Sequence, residues 1–171
     1  MKQLALLVIL SCLICLSSGC GPMVRAVARG SISEEKGSIP KDFNEGAHTL
    51  LVVKGDVRGV NEELEESFQR YQGESLLVTQ DELKAERYLD KETYRYEFRV
   101  GVFERDNNKT GVMEQGTIRT SEVYLYDRRT NQSYKAGVTS SLFGALINAW
   151  VDKLNKDLEK GDEKVMASAE E

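Results

Sequence analysis

Cysteine and histidine are scarce in this chain, and their scarcity excludes several kinds of chemistry. The three cysteines are Cys12, Cys15 and Cys20, and no cysteine follows residue 20. A domain built from the later residues therefore contains no disulfide, no zinc–thiolate site and no cysteine nucleophile. His48 is the single histidine, so a histidine-rich metal site is excluded and a Ser-His-Asp triad would have to use this residue.

Motifs for nucleotide, metal or nucleophilic chemistry are also missing. The sequence has no phosphate-binding loop, no dinucleotide fingerprint and no Cys/His cluster. Residues 106–111 (DNNKTG) begin like a calcium loop, but Thr117 stands where that loop needs its bidentate acid, so a polar hairpin loop is the better interpretation. Residues 137–141 (GVTSS) lack the spacing of a nucleophile elbow and favour a helix cap. We therefore predict no cofactor, no metal site and no enzymatic activity.

The charge of the chain is acidic. It carries 23 Lys and Arg against 28 Asp and Glu, a net charge of −5. Removal of residues 1–19 takes away one lysine and no acid, which leaves 22 basic against 28 acidic side chains and a net charge of −6. Binding to nucleic acid, or to anionic lipid by charge alone, is therefore not expected.

The amino terminus has the layout of a cleavable export signal. Lys2 precedes an apolar stretch over residues 4–16, and small residues follow it up to Gly19. The stretch is shorter than the roughly 20 apolar residues that a membrane-spanning helix needs. Residues 16–20 (LSSGC) resemble the lipobox of bacterial lipoproteins, whose cysteine receives diacylglycerol and becomes the first mature residue. Ser17 stands where that class prefers leucine, and a plain secretory signal or an uncleaved anchor is the alternative.

The lipoprotein resemblance implies a location and a lipid partner. Residues 1–19 would be the signal peptide, and Cys20 would carry the acyl chains, of which two or more are needed for stable anchoring. Gly21, rather than Asp, follows the cysteine, which resembles the signal for sorting to the outer membrane. We therefore expect a protein anchored to the outer membrane through acylated Cys20 and facing the periplasm.

Three regions follow the signal. Residues 20–46 are dotted with Gly and Pro and predict a flexible tether, with pairing of residues 23–28 as an edge strand the alternative. Residues 47–161 contain the periodic segments and predict one α+β domain. Residues 162–171 are acidic, small and aperiodic, and predict a disordered tail.

Hydrophobic periodicity predicts the elements of the domain. Strands alternate apolar and polar residues, whereas helices repeat apolar residues at three and four positions. Asn61 is the expected cap of the first helix, Gly73 and Gly161 are the expected helix ends, and residues 79–82 fit a capping box. The fold class is a two-layer α+β sandwich, a mostly antiparallel sheet with helices on one face. Predicted strands cover residues 50–53, 75–79, 94–102, 117–127 and 133–138, and predicted helices cover residues 61–71, 82–89 and 142–160.

One segment of the domain resembles known envelope lipoproteins. Residues 123–130 (VYLYDRRT), followed by a hairpin strand and the closing helix, are similar to the small α+β domains of the curli-secretion lipoprotein and of the amino-terminal part of the Tol-system translocation protein. Asn131 stands where those families often have Gly. No functional residue is carried over from this resemblance.

The expected binding surface is either a strand edge or a face that bears tyrosines. Tyr94, Tyr96, Tyr124 and Tyr126 lie on the predicted meander, where they either form a binding platform or stabilise the sheet by cross-strand packing. We expect a non-enzymatic interaction or assembly component that binds another envelope protein. The alternative is capture of a glycan or other small ligand between sheet and helix, and a third hypothesis is a hydrolase that uses His48 or paired carboxylates.

Overall fold

The computed structural model describes residues 21–46, 48–56, 58–106 and 117–169. These residues form the α+β fold that the sequence predicts, with three α-helices packed on one face of a five-stranded sheet. The helices are α1 (Gly21–Ser31), α2 (Arg58–Phe68) and α3 (Phe143–Ala169), and the strands are β1 (Leu50–Lys54), β2 (Ser75–Thr79), β3 (Tyr96–Asp106), β4 (Thr117–Asp127) and β5 (Gln132–Ser140).

The sheet is mixed, and its longest pairings are antiparallel. The strand order is β2-β1-β3-β4-β5. β1 runs parallel to both β2 and β3, whereas β3, β4 and β5 form the antiparallel meander that the sequence predicts. The turn between β4 and β5 includes Asn131, whose φ of 57° is a left-handed conformation that asparagine tolerates better than most residues.

The main core lies between the helices and one face of the sheet. Side chains alternate along a strand, so every second residue of β1, β3 and β4 faces the helices. Trp150 of α3 is fully buried there, and its ring lies 6.0 Å from that of Phe98. Burial of one large apolar side chain stabilises the fold by about 1.5–3 kcal/mol. The strand residues of this core are Leu50, Val52, Tyr96, Phe98, Val123 and Leu125.

A smaller apolar cluster lies on the opposite face of the sheet, over β1 and β2. The segment that follows β2 folds back onto this face and covers its apolar side chains. The remaining part of this face, formed by β3, β4 and β5, bears no helix of the described residues, and we name it the open face. The buried members of the small cluster are Leu51, Val53, Val78, Leu83 and Tyr88.

The predicted capping box is present at the start of that segment. The Thr79 N–H donates to Glu82 Oε2 at 2.7 Å, and the Glu82 N–H donates to Thr79 Oγ1 at 3.2 Å. The short helix predicted after it is instead a pair of 3-10 turns, one on each side of Ala85. Leu83 and Tyr88 both pack on the sheet, whereas a continuous α-helix would point side chains five positions apart about 140° from each other.

The predicted tether is wrong, and so is the strand considered as its alternative. Residues 21–31 form α1, which packs against α3 and β5. Val24, Ala28 and Ile32 recur at helical spacing on the inner side, and Ala28 and Ile32 have no exposed surface. Ile39 and Phe43 continue this contact with the core. The segment is therefore part of the domain, because its apolar residues outweigh the Gly and Pro content that predicted a tether.

Helix ends also differ from the prediction. α3 continues through Gly161 to Ala169, so the expected disordered tail is helical over residues 162–169. A Cβ at Gly161 would lie 2.9 Å from the backbone oxygen of Asn44, which shows that this glycine permits a close contact rather than ending the helix. α2 begins at Arg58, and the expected cap Asn61 instead bonds the N–H and C=O of Gly55.

Candidate functional site

Cys20, the candidate lipid-attachment residue, lies outside the described residues. The first described residue is Gly21, which begins α1. In the part of the chain that the structure describes, no helix has the length and apolar character needed to cross a membrane. The loop that resembles a calcium site also falls outside the described residues beyond Asp106, and the described residues contain no cluster of His, Cys, Asp or Glu suited to a metal ion.

The four candidate tyrosines do not form one surface. Tyr96 is fully buried on the helix side of the sheet, and its hydroxyl donates to Asp42 Oδ1 at 3.1 Å. Tyr94 packs edge-to-face on Tyr88, 5.2 Å away, in the small cluster over β1. Only Tyr124 and Tyr126 share the open face, where both are half-buried. The sequence placed Tyr94 and Tyr96 wrongly because both are held by packing that joins distant parts of the chain.

The open face is organised in rows that cross three strands. Arg99 of β3, Tyr124 of β4 and Lys135 of β5 are opposite one another in the sheet register. In the next row Tyr126 lies opposite Glu97 on one side and Ser133 on the other. Because neighbouring strands lie about 4.8 Å apart, each row brings aromatic and charged groups into contact.

Each tyrosine of the open face is flanked by a cation. The Arg99 guanidinium lies 5.0 Å from the centre of the Tyr126 ring, and Lys135 Nζ lies 5.3 Å from the centre of the Tyr124 ring. Such cation–π contacts contribute about 0.5–1 kcal/mol at exposed sites. Lys135 Nζ also donates to Glu122 Oε2 at 2.7 Å, and this hydrogen bond raises the pKa of Lys135. The rings and cations therefore hold one another in fixed positions.

A buried carboxylate fixes the base of this arrangement. Glu97 is 3% exposed and accepts contacts from Arg99 Nη2 at 2.5 Å and Arg128 Nε at 3.0 Å. Arg128 Nη1 in turn donates to the backbone oxygen of Tyr94 at 2.9 Å. A buried charge is tolerated only when it is paired and hydrogen-bonded. This network therefore fixes Arg99 next to the ring of Tyr126.

A polar cleft of about 280 Å³ lies at the amino-terminal end of β3, beside His48. Burial lowers the pKa of His48, whose ring packs 5.0 Å from Tyr96 and whose Nε2 has no hydrogen-bond partner among the described residues. Arg95 bridges Asp42 at 2.7 Å and Asp127 at 2.8 Å. Within the described residues, no serine is paired with His48 as a triad requires.

Hydrogen bonds from Arg95 lower the pKa of the two carboxylates that it bridges, Asp42 and Asp127. Burial opposes ionisation of Asp127, but the hydrogen bond from Arg95 outweighs it and lowers the pKa of Asp127. The backbone N–H groups of Arg129 and Thr130 act in the same direction. Arg95 therefore links the end of β4 to the segment before β1, and its charge is already paired with both carboxylates.

Sequence reasoning missed two charged clusters. On the open face, the alternation of β3 marked Arg99 as facing away from the core, but the register that places it beside Tyr126 was not predictable. On the helix side, Arg25 and Arg29 both bond the carboxylate of Asp152, with Arg25 Nη2 2.7 Å from Asp152 Oδ2. Arg70 Nη1 approaches the same carboxylate at 3.6 Å. The spacing of Arg25 and Arg29 was a helical signal that the Gly and Pro content of the segment obscured.

The chain was compared with protein-family models, with curated proteins and with solved structures. No match was found in any of the three comparisons.

Proposed function

We propose that this protein is an outer-membrane lipoprotein, anchored through acylated Cys20 and facing the periplasm, that binds another envelope protein as a non-enzymatic assembly component. The observation that carries the binding part of the proposal is the open face. Tyr124 and Tyr126 are half-buried there, each beside a cation that a carboxylate holds in place.

The composition of the open face suits a protein partner. Tyrosine and arginine are enriched among the residues that dominate binding energy at protein interfaces. On the open face, Glu97 already orders the side chain of Arg99, and Glu122 orders that of Lys135. Less conformational entropy is therefore lost when a partner binds. A flat, mixed aromatic and charged surface is also less suited to small ligands, which favour concave and mostly apolar sites.

The edge strand β5 extends this surface. It contributes Lys135 and Ser133 to the open face, and among the described residues no strand pairs with its outer edge. Residues along β5 alternate between exposed and half-buried positions. A partner that covers the open face can therefore also contact the edge of β5.

The alternative function, capture of a glycan or other small ligand, has weaker support. The cleft beside His48 is the best candidate for it, with Tyr96 and Arg95 in its lining. The Arg95 charge is already paired with Asp42 and Asp127, so a ligand would have to compete with these contacts.

Crosslinking in the native host tests the proposal. A photocrosslinking residue replaces Lys135, which is exposed on the open face, and in a matched control it replaces Leu89, which is 60% exposed on another part of the surface. We expect one envelope protein to be captured from position 135 and not from position 89. Combined Tyr124→Ser and Tyr126→Ser substitution should abolish the capture while the thermal unfolding transition persists.

The anchoring part is tested separately with Cys20→Ala. We expect the acyl mass increment to disappear and the domain to leave the membrane fraction. Equal capture from both crosslinking positions, or capture that survives loss of both tyrosines, would contradict the open face as the binding surface. Retention of a bound glycan at the His48 cleft, lost with Arg95→Ala, would favour the alternative.

A further inference from the structure

Most of the outward side of α1 is uncharged, and Arg29 is the charged residue exposed at its margin. Ala28 of this helix is fully buried against the domain, whereas Met23 is 74% and Val27 is 58% exposed. The exposed positions on the side opposite Ala28 recur at helical spacing and are all apolar or small. In a chain with 30% charged residues, an uncharged stripe on a surface helix is unusual. The stripe consists of Pro22, Met23, Ala26, Val27 and Gly30.

The stripe lies directly beside the expected lipid attachment. α1 begins at Gly21, which one peptide bond joins to Cys20, so the two Cα atoms are about 3.8 Å apart. α1 is itself packed on α3 and β5, so no tether separates Cys20 from the folded domain. If acyl chains on Cys20 enter a bilayer, the first turn of α1 must lie at the membrane surface.

The charges beside the stripe suit lipid headgroups. Arg25 and Arg29 of α1, together with Arg70, surround the single carboxylate of Asp152. Of these three arginines, Arg29 is 46% exposed, so its charge is accessible at the surface beside the stripe. A basic side chain near an anionic membrane surface contributes about 1 kcal/mol of attraction. Apolar residues flanked by arginine are the pattern of helices that lie in the membrane interface.

We propose that α1 is a membrane-docking helix whose uncharged stripe lies in the interface of the bilayer that holds the acyl chains of Cys20. The inference rests on the proposed anchoring and specifies its geometry. The domain is held flush with the membrane rather than at the end of a tether. Because α1 belongs to the helix side of the sheet, the open face lies on the other side, where an envelope partner can reach it.

A single spin label tests the docking. After signal removal and acylation of Cys20, the mature chain has no other thiol, so Val27→Cys can be labelled uniquely. The acylated protein is placed in protein-free vesicles of phosphatidylethanolamine and phosphatidylglycerol, and the collision rates of the nitroxide with oxygen and with a water-soluble nickel complex are compared. Leu89→Cys, which is equally exposed on another surface, is the matched control.

We expect the label at position 27 to collide severalfold more with oxygen relative to nickel than the label at position 89. Met23→Asp in the Val27→Cys background should shift the ratio at position 27 towards the aqueous value without changing the unfolding transition, because Met23 is exposed. A control Met166→Asp, at another exposed apolar position, should leave the ratio unchanged.

Three outcomes would overturn the proposal in different ways. If the label at position 27 has the collision ratio of an aqueous site in a chain that carries the acyl mass increment, the anchoring is correct and the docking is wrong. A label that is aqueous in protein-free vesicles but shielded in native membranes would show that a protein covers the stripe. Absence of the acyl mass would refute the proposed anchoring, and the docking inference would fail with it.

Discussion

Asp157 of α3 is a buried carboxyl group whose ionisation opposes folding. It is 2% exposed, and one of its carboxylate oxygens has no hydrogen-bond partner among the described residues. Burial, reinforced by the hydrogen bond with Glu34, raises the pKa of Asp157 to about 7. Lys160 Nζ, 3.7 Å away, opposes this shift only in part. Glu34, Asp157 and Lys160 line a cavity of about 300 Å³, and the other charged residues of its lining are Glu35, Lys153 and Lys156.

We predict that the contribution of Asp157 to stability falls as pH rises between about 4 and 7. The folded state holds a proton on Asp157 up to about pH 7, whereas the unfolded chain releases it near its ordinary pKa of 3.8. Folding therefore takes up a proton in this window, and the free energy of unfolding decreases with pH. Asp157→Asn should remove this slope and be more stable than the parent at pH 8, as measured by urea unfolding at several pH values.

Glu34→Gln is the matched variant for this experiment. It removes the acidic partner, so it should weaken the slope without abolishing it. If the free energy of unfolding changes with pH in the same way for the parent and for Asp157→Asn, another group causes the slope. The sequence could not reveal this pair, because Glu34 lies in the segment predicted to be a tether and Asp157 lies in the closing helix.

At the scale of the elements, β5 owes its shape to a bulge. Glu122 of β4 pairs with Thr139, but Tyr124 pairs with Lys135, so three residues of β5 face the single residue Val123. Gly137 lies among these three with a φ of +65°. This conformation costs most residues about 1–2 kcal/mol because their Cβ approaches the following carbonyl oxygen.

We predict that Gly137→Ala lowers the free energy of unfolding by about 1 kcal/mol. A Cβ at this position would meet nothing within 4 Å, so the cost comes from the backbone alone. Gly55→Ala is the control, since it also has open space and does not require a positive φ. Equal stability of the two variants in urea unfolding would show that β5 relaxes without strain.

Most of the elements could be predicted, and the failures have physical causes. The continuous apolar run of residues 50–53 located β1, and the alternation of apolar and polar residues over residues 94–102 located β3, because each strand has at least one face against a core. α1 was missed because local Gly and Pro content outweighed the spacing of Val24, Ala28 and Ile32. The bulge at Gly137 could not be predicted, because register depends on contacts across strands. Of the four candidate tyrosines, only Tyr124 and Tyr126 share the open face, and their role in binding stays a prediction.

At the scale of the whole molecule, the boundary of the domain differs from the one that the sequence predicts. Removal of residues 20–46 would expose a part of the main core that α1 and the following segment cover. The buried apolar residues that this segment contributes are Ala28, Ile32, Ile39 and Phe43.

We predict that a chain beginning at residue 47 does not unfold cooperatively. Each large buried side chain contributes about 1.5–3 kcal/mol, and the net stability of a domain is only about 5–15 kcal/mol. Trp150 is fully buried and is the single tryptophan, so its fluorescence reports the transition. A chain beginning at residue 21 is the control and should show a sigmoidal transition. If both chains show a sigmoidal transition with a similar midpoint, residues 21–46 do not contribute to the core and the predicted tether is correct.

The contact between α1 and α3 has a consequence for the order of folding. Arg25 and Asp152 are hydrogen-bonded although 127 positions separate them, so α1 packs against α3 across a long stretch of sequence. Bringing such distant segments together costs loop entropy that only the finished packing repays. A growing or translocating chain therefore lacks a complete core until α3 has emerged. Because α3 carries the fully buried Trp150, the main core is complete only when this helix has joined it.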